Sequence, residues 1–202
     1  MSIRLSIAGE DAGRAQRLES LARGIVRCRR CPLHRRRQRA VPGAGSLEAR
    51  IMLVGEAPGA AEDASGLPFV GRSGAYLDGM LSRIGLTRQD VFVTGSVKCR
   101  PPGNRVPRAG ELRVCREHWL LPQIEALDPP LLVLLGAVAA RQVLGERGPL
   151  AGLRGPLRRW CNRQVLVTAH PAAAMRFPRA RRWLDEDFAR LKAYLQNVRE
   201  DG

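Results

Sequence analysis

The stretch that decides the fold is Ile51-Met52-Leu53-Val54-Gly55, a run of four large apolar residues that ends in a glycine. A short run that is apolar at every position is typical of a strand buried on both faces of a parallel sheet. Three runs of the same kind follow along the chain: Val91-Phe92-Val93-Thr94, Leu131-Leu132-Val133-Leu134-Leu135 and Val165-Leu166-Val167-Thr168. The sequence therefore predicts a central sheet of four parallel strands.

Segments with apolar residues at helical spacing separate these strands. The predicted helices run from about Ala12 to Val26, Ser73 to Ile84, Glu111 to Leu127, Ala137 to Leu144 and Trp183 to Val198. Alternating strands and helices imply an α/β protein with helices on both faces of the sheet, which is a three-layer α/β/α sandwich. No repeat or low-complexity tract interrupts the pattern, so we expect residues 1–202 to form a single domain.

This architecture predicts where a functional site lies. In open parallel sheets, ligands bind beyond the carboxyl ends of the strands. The segments that directly follow the predicted strands are Gly55-Glu56-Ala57-Pro58-Gly59, Gly95-Ser96-Val97-Lys98-Cys99, Gly136-Ala137 and His170-Pro171-Ala172. We therefore expect these segments to line one edge of the sheet.

The charge balance is strongly basic, with 34 Lys and Arg residues against 19 Asp and Glu and a net charge of +15. Such a surplus favours a polyanionic partner, because neutralised phosphates release condensed counterions. A genome biased toward Arg codons would give the same surplus on ordinary solvated faces. No apolar run reaches the roughly 20 residues that span a bilayer, and the N-terminus lacks the apolar stretch of a secretory signal. We expect a cytoplasmic protein without a membrane partner.

The chain has five cysteines, and in a cytoplasmic protein they argue against a disulfide framework. Cys28 and Cys31 form a C-x-x-C motif, while Cys99 and Cys115 lie far downstream. Two close and two distant thiolates can complete a four-sulfur site for zinc or an iron–sulfur cluster. The downstream pair lacks the tight spacing of a zinc ribbon, which favours the cluster, and buried apolar cysteines are the remaining alternative. Cys161 is expected to be a core residue or a free thiol.

Five motifs are recognisable in order along the chain. They are Gly55-Glu56-Ala57-Pro58-Gly59-Ala60-Ala61-Glu62-Asp63, Gly66-Leu67-Pro68-Phe69-Val70-Gly71-Arg72-Ser73-Gly74, Val97-Lys98-Cys99-Arg100-Pro101-Pro102-Gly103-Asn104-Arg105, Leu135-Gly136-Ala137-Val138-Ala139-Ala140 and His170-Pro171. Together with the cysteines, they resemble the family 4 uracil-DNA glycosylases, the thermostable iron–sulfur type, from Arg27 to Phe177. The resemblance implies the uracil-DNA glycosylase-like α/β/α sandwich with a four-stranded parallel sheet. It also implies a monofunctional DNA repair glycosylase that flips a deaminated base, first of all uracil, out of DNA and leaves an abasic site.

The same resemblance implies a cofactor and excludes others. Cys28, Cys31, Cys99 and Cys115 would hold a [4Fe–4S] cluster that has a structural role and ties the N-terminal helix to the domain. No nucleotide cofactor is expected, the partner would be DNA containing a damaged base, and the default oligomeric state is a monomer. Since Arg100 to Arg113 contains no histidine that would trap the substrate covalently, we expect ordinary turnover.

The resemblance also implies roles for residues in the base site. His170 would donate a hydrogen bond to O2 of the leaving uracil, and a neutral imidazole is sufficient for this. Phe69 would stack on the flipped base, with Glu56 and Ala57 lining the pocket and Glu56 counted among the catalytic candidates. Glu62 would stabilise the sugar cation or orient water, unless it is a solvated loop carboxylate.

On the DNA side, Met175 takes the place of the family's apolar wedge and Arg176 is a candidate phosphate contact. Two positions depart from the family pattern. Gly95 stands where an Asn commonly reads the pyrimidine edge, and a base-reading pair is typically worth ~1–3 kcal/mol. Its loss would relax discrimination and open room for a larger base such as hypoxanthine or xanthine. Ala172 replaces the Ser of the H-P-S motif and would loosen phosphate binding, so a catalytically weak DNA-binding homologue is the other alternative.

Overall fold

The computed structural model describes residues 3–200, with side chains described over residues 13–198. Its sheet has six strands in the order β1-β3-β2-β4-β6-β5. The strands are β1 (Ala44–Gly45), β2 (Ile51–Gly55), β3 (Val91–Gly95), β4 (Leu131–Leu135), β5 (Arg158–Trp160) and β6 (Arg163–Thr168). The inner strands β3, β2, β4 and β6 are parallel, as predicted, while β1 and β5 pair antiparallel at the two edges. The prediction of four strands is therefore right for the parallel centre and incomplete at the edges.

The predicted helices are present; Ala137–Leu144 has the predicted bounds, and the ends of the others differ. The helices are α1 (Ile3–Arg27), α2 (Ala60–Ser65), α3 (Arg72–Arg83), α4 (Ala109–Cys115), α5 (Leu121–Leu127), α6 (Ala137–Leu144), α7 (Leu150–Leu153), α8 (Pro171–Ala174) and α9 (Pro178–Glu200). The predicted helix from Glu111 to Leu127 is continuous in space, but a π-helical turn over Arg116–Leu120 separates α4 from α5. Within residues 3–200, none of these helices combines the length and apolarity that a bilayer crossing requires.

Alternate side chains of the inner strands pack into two separate apolar layers. Leu53 and Val133 contribute to one layer, which they share with Leu77 of α3 and Phe188 of α9. Their neighbours along the strands, Met52 among them, point into the opposite layer, against α1, α5 and α6. Because a strand presents successive residues to opposite faces, strands that are apolar throughout need helices on both sides. The three-layer α/β/α arrangement is the result.

The parallel register brings the predicted site segments to one edge. Gly55 pairs with Gly95 at the carboxyl ends of β2 and β3, and the amide of Gly136 donates to the carbonyl of Thr168 at 2.8 Å. His170 follows two residues after β6 ends at Thr168. Loops from all four inner strands therefore start at the same edge of the sheet.

Candidate active site

A cavity of about 250 Å³ lies at the carboxyl edge of the sheet and is called the base pocket below. The predicted site residues that line it are Glu56, Ala57, Glu62, Phe69, Gly95, His170 and Arg176. Val41 and Asn104 also line it, and the sequence predicted no role for either. Asn104 belongs to the third motif, but the motif does not show that its side chain reaches the pocket, and no pattern marks Val41. A second cleft, of about 360 Å³, lies at the amino ends of the strands beside Ile51 and Leu131, where parallel sheets do not place their sites.

His170 caps the N-terminus of α8 in a way that fixes the proton on its ring. The amide of Ala172 donates a hydrogen bond to Nδ1 of His170 at 3.1 Å. Because Nδ1 must accept, the neutral ring carries its proton on Nε2, which becomes a donor. Removal of the ring from bulk water lowers the pKa of His170 to about 4, although Glu62 opposes this shift. The ring is therefore a neutral Nε2–H donor at neutral pH.

Phe69 stacks against His170, with ring centroids 5.6 Å apart and ring planes 27° from parallel. Its backbone lies in the left-handed region at φ 52°, and its carbonyl accepts a hydrogen bond from Arg88 at 2.8 Å. Two glycines make this placement possible. A Cβ on Gly55 would lie 2.7 Å from Cζ of the Phe69 ring, and a Cβ on Gly74 would lie 1.7 Å from its carbonyl oxygen. Only glycine allows such a close approach. Glycine is therefore required at both positions for Phe69 to lie where it does.

Glu62 is buried, and its carboxylate is occupied by backbone donors. Oε2 accepts the amide of Gly59 at 3.0 Å, and Oε1 accepts the amides of Val70 at 3.0 Å and Gly71 at 2.9 Å. The alternative of a solvated loop carboxylate is therefore wrong. These bonds join the start of α2 to the loop that carries Phe69, which is a positioning role; direct action of Glu62 on the reaction stays a prediction.

Glu56 contrasts with Glu62. Glu56 lines the base pocket, and no hydrogen bond or ion pair joins its carboxyl group to the side chains or backbone of residues 13–198. Partial burial raises the pKa of Glu56. A carboxyl group that faces a cavity without protein partners is available to a ligand or a water molecule. Of the two predicted acids, Glu56 is thus the one that the geometry leaves free to act.

The four predicted cluster cysteines lie close together, and one of them, Cys99, belongs to the third sequence motif. Cys99 and Cys115 pack in one apolar cluster with Leu33 and Val97, and Cys31 lies against it. Cys28 follows α1, and all of these thiols are unpaired. Burial raises the pKa of Cys99 and raises that of Cys115 to about 12. Metal binding at these thiols would therefore release protons.

The spacing of the thiols bears on which metal group fits. In the described part of the chain, no three His, Cys, Asp or Glu side chains converge closely enough to hold a single metal ion. A mononuclear zinc site draws four sulfurs onto one ion at about 2.3 Å each. In a cubane cluster each thiolate binds a different iron, so the sulfurs stay farther apart. Four cysteine thiols can form either donor set, so the residues present fit a [4Fe–4S] cluster.

The chain is similar to a known protein family. The family model of the uracil DNA glycosylase superfamily matches residues 42–197. The chain belongs to the uracil DNA glycosylase superfamily. It is 41% identical over 180 residues to a type-4 uracil-DNA glycosylase of Pyrobaculum aerophilum, covering 85% of this chain and 91% of that protein. A type-4 uracil-DNA glycosylase of Thermotoga maritima is 38% identical over 187 residues, which cover 91% of this chain and 97% of that protein. A type-5 uracil-DNA glycosylase of Thermus thermophilus is 37% identical over 129 residues, which cover 54% of this chain and 56% of that protein.

In the glycosylase, Lys98 binds the end of β3 at Gly95, and the sequence predicted no role for this lysine. Lys98 is buried, and its Nζ donates to Thr94 Oγ1 at 2.6 Å and to the carbonyl of Gly95 at 2.8 Å. Burial lowers the pKa of Lys98 to about 8, against the effect of Cys115. A loop from a strand to a helix rarely buries a lysine without such partners, but no sequence pattern shows in advance which atoms they are.

Gly95 does not open extra room in the glycosylase pocket. A Cβ at this position would lie 2.9 Å from the carbonyl oxygen of Val97 and 3.7 Å from Cα of Ala57. Backbone atoms thus occupy the space that a side chain at this position would enter, which does not favour the predicted alternative of a larger base. Ser96 cannot substitute for an amide either, since its Oγ is buried and donates to the carbonyl of Gly55 at 2.8 Å.

The two predicted DNA contacts of the glycosylase lie at different places on the corner after His170. Arg176 is exposed and lines the base pocket. Met175 is half-buried at the end of α8 and is not part of the pocket lining, so its role as a wedge stays a prediction. Phe177, the next aromatic, is 60% exposed on the same corner.

Proposed function

We propose that this chain removes uracil from DNA by hydrolysing the N-glycosidic bond in the base pocket, which leaves an abasic site. The type-4 relatives, named uracil-DNA glycosylases, favour uracil over the purine lesions considered from the sequence. The observation that carries the proposal is the neutral Nε2–H of His170 beside the Phe69 ring in one cavity. A repair enzyme of this type must take its base out of the duplex to reach such a donor.

His170 stabilises the leaving base. When the glycosidic bond breaks, negative charge develops on the uracil oxygens and positive charge on the sugar. A fixed donor aimed at the developing anion lowers the barrier most in a site that excludes water. With a pKa of about 4, His170 donates without first being protonated, and Phe69 offers the extruded base a stacking surface.

Glu56 acts on the sugar side of the bond. Its carboxylate faces the cavity and attracts the positively charged sugar, and it accepts a hydrogen bond from the attacking water. Glu62 supports this reaction from behind, because it holds the backbone of the loop that carries Phe69.

No lysine is placed to form a covalent intermediate, which agrees with a monofunctional glycosylase. In the described residues, Nζ of Lys98 is bound to Thr94 and Gly95 inside the protein, and Lys192 lies in α9 beside a different cleft. Water is therefore the nucleophile. The second alternative from the sequence, a homologue that binds DNA without useful catalysis, is not favoured, since His170, Phe69 and Glu56 share one cavity.

DNA approaches from the side of the base pocket where Arg176 is exposed. Its guanidinium contacts a phosphate beside the extruded nucleotide, and Met175 is the candidate that fills the gap in the base stack. The net charge of +15 supports binding of a polyanion. A single domain, a monomeric state, a cytoplasmic location and the lack of a nucleotide cofactor remain predictions.

Cys28, Cys31, Cys99 and Cys115 would hold a [4Fe–4S] cluster. When bound, the cluster would cross-link chain segments, and no step of base removal would use it. It would join the end of α1 to the loop that follows β3, directly after Gly95 of the base pocket. Metal analysis tests this directly: iron and sulfide support the cluster, and zinc without sulfide contradicts it.

One assay separates the candidate functions. Purified protein is incubated with duplexes that carry uracil, hypoxanthine or xanthine, and alkali then reveals abasic sites. Strand breaks at uracil alone are expected, with intact strands before alkali. Breaks at the purine lesions would support shifted specificity, and binding without breaks would support a catalytically weak homologue.

A further inference from the structure

A π-helical turn directly follows the proposed cluster ligand Cys115. It spans Arg116–Leu120 and connects α4 to α5 within one continuous helix. Such turns are rare, and they occur frequently at functional sites because they change the direction of the side chains they carry. Trp119 lies in this turn, outside the lining of the base pocket. The mechanism of base removal gives it no role.

The indole of Trp119 reaches across to the cysteine that follows α1. Its Nε1–H donates to Sγ of Cys28 at 3.2 Å, across 91 residues of sequence. Gly24, one turn before Cys28, provides the space for the ring. A Cβ on Gly24 would lie 2.8 Å from Cη2 and 3.0 Å from Cζ3 of Trp119. The π turn and the missing side chain in α1 thus act together to place one N–H group on one sulfur.

Two of the four sulfurs accept an N–H group from a side chain. Nη1 of Arg37 donates to Cys99 at 3.0 Å, and the indole of Trp119 donates to Cys28 at 3.2 Å. Trp119 is therefore a contribution of this particular sequence to its own cluster site.

Hydrogen bonds to the sulfurs of an iron–sulfur cluster tune its reduction potential. They stabilise the more negative, reduced state, and so they raise the potential. Cys28 is also one of the two less buried ligands, since Cys99 and Cys115 are buried. A donor on this sulfur secures one of the two ligands that water and chelators reach more easily.

We propose that Trp119 is a positioning residue for the cluster: its indole N–H holds Cys28 Sγ, raises the reduction potential and slows cluster loss. The inference rests on the proposed [4Fe–4S] cluster. It is independent of the chemistry assigned to His170.

The test compares three full-length, iron-loaded single variants, and the double variant of the first two, with the wild-type protein. Trp119→Phe keeps an aromatic ring and removes the N–H group. Gly24→Ala keeps the indole and displaces it, while alanine itself favours the helix. Trp160→Phe is the matched control, because Trp160 packs against the apolar layer at the far edge strand β5. The readouts are the midpoint potential and the rate of iron loss to a chelator, followed by the visible absorption of the cluster.

Trp119→Phe and Gly24→Ala are expected to lower the midpoint potential and to speed iron loss roughly fivefold, the effect of losing one hydrogen bond. Trp160→Phe should match the wild type. The double variant should shift the potential no further than Trp119→Phe alone, because both changes remove the same bond. A Trp119→Phe protein with the potential and iron-loss rate of Trp160→Phe would overturn the inference.

Two further outcomes are decisive. If Trp119→Phe is purified without iron, the midpoint potential and the rate of iron loss of Gly24→Ala test the inference instead. Wild-type values of both in Gly24→Ala would contradict the role of Trp119. If the wild-type protein lacks iron and sulfide, the inference fails together with the cluster. Uracil release by that same preparation would still support the proposed glycosylase reaction, so the two failures can be told apart.

Discussion

Replacing His170 by alanine removes the donor that the proposed reaction needs most. The amide of Ala172 holds Nδ1 at 3.1 Å, so Nε2–H is fixed toward the base pocket before the substrate arrives. Loss of one such prepositioned donor to a developing anion typically costs about 10²–10³ in rate, or roughly 2.7–4 kcal/mol. His170→Ala should therefore slow base removal by this factor and leave the affinity for DNA nearly unchanged.

The assay is single-turnover release of uracil from a duplex with enzyme in excess, which measures chemistry rather than product release. His118→Ala is the matched control, because that ring is exposed and its Nδ1 is 3.1 Å from the carbonyl of Val114, outside the base pocket. With a pKa of about 4, His170 stays neutral, and the wild-type rate should not fall from pH 5.5 to 8.5 through its titration. A loss below fivefold in His170→Ala would refute the reasoning. So would a basic limb near pH 6.5 that only this variant lacks, since it would require an imidazolium donor.

The remaining predictions concern stability and the loop around the base. Acid should destabilise the protein through His170. The pKa of His170 is about 4 in the folded protein, below its ordinary value, so the unfolded chain takes up the proton first as the pH falls. The free energy of unfolding should therefore decrease by about 2–3 kcal/mol between pH 6.5 and pH 4. Urea unfolding at both pH values should show a smaller loss in His170→Ala, and equal losses would contradict this. Gly74→Ala should abolish activity and lower stability, because its Cβ would meet a carbonyl oxygen at 1.7 Å, whereas Gly79→Ala in the same helix meets nothing within 4 Å and should gain about 0.5–1 kcal/mol. Similar unfolding midpoints for the two alanine variants would argue against the packing described. Glu62→Gln should cost about 1–3 kcal/mol of stability, since three backbone amides lose a carboxylate, while Glu56→Gln should reduce the rate with little change in the unfolding midpoint. The reverse pattern would exchange the roles of the two acids.

The inner sheet could be predicted because each of its strands contains a run of at least three consecutive large apolar residues, and four such runs separated by helices have few other arrangements. The edge strands could not. β1 contains only Ala44 and Gly45, and β5 begins with two arginines, so neither has the apolar signal that burial produces. Their pairing depends on the neighbouring strand, β3 or β6, and not on their own composition.

At the site, sequence motifs indicated which residues lie close together but not which of them position the backbone and which face the substrate. Glu62 and Glu56 are equivalent in sequence as acids that follow β2, and only coordinates show that backbone amides occupy one of them. Gly95 illustrates the same limit: a missing side chain predicts space, but whether backbone fills that space depends on the turn that follows. Trp119 depends on a π turn, for which the helical pattern carries no signal.

The central claim is that uracil binds in the base pocket with its O2 on His170. The most direct measurement is a crystal structure of the protein with abasic-site DNA and free uracil. The account predicts uracil stacked on Phe69, with its O2 about 2.7–3.1 Å from Nε2 of His170. Uracil bound in the cleft beside Ile51 and Leu131, or in the base pocket with O2 directed away from His170, would contradict it.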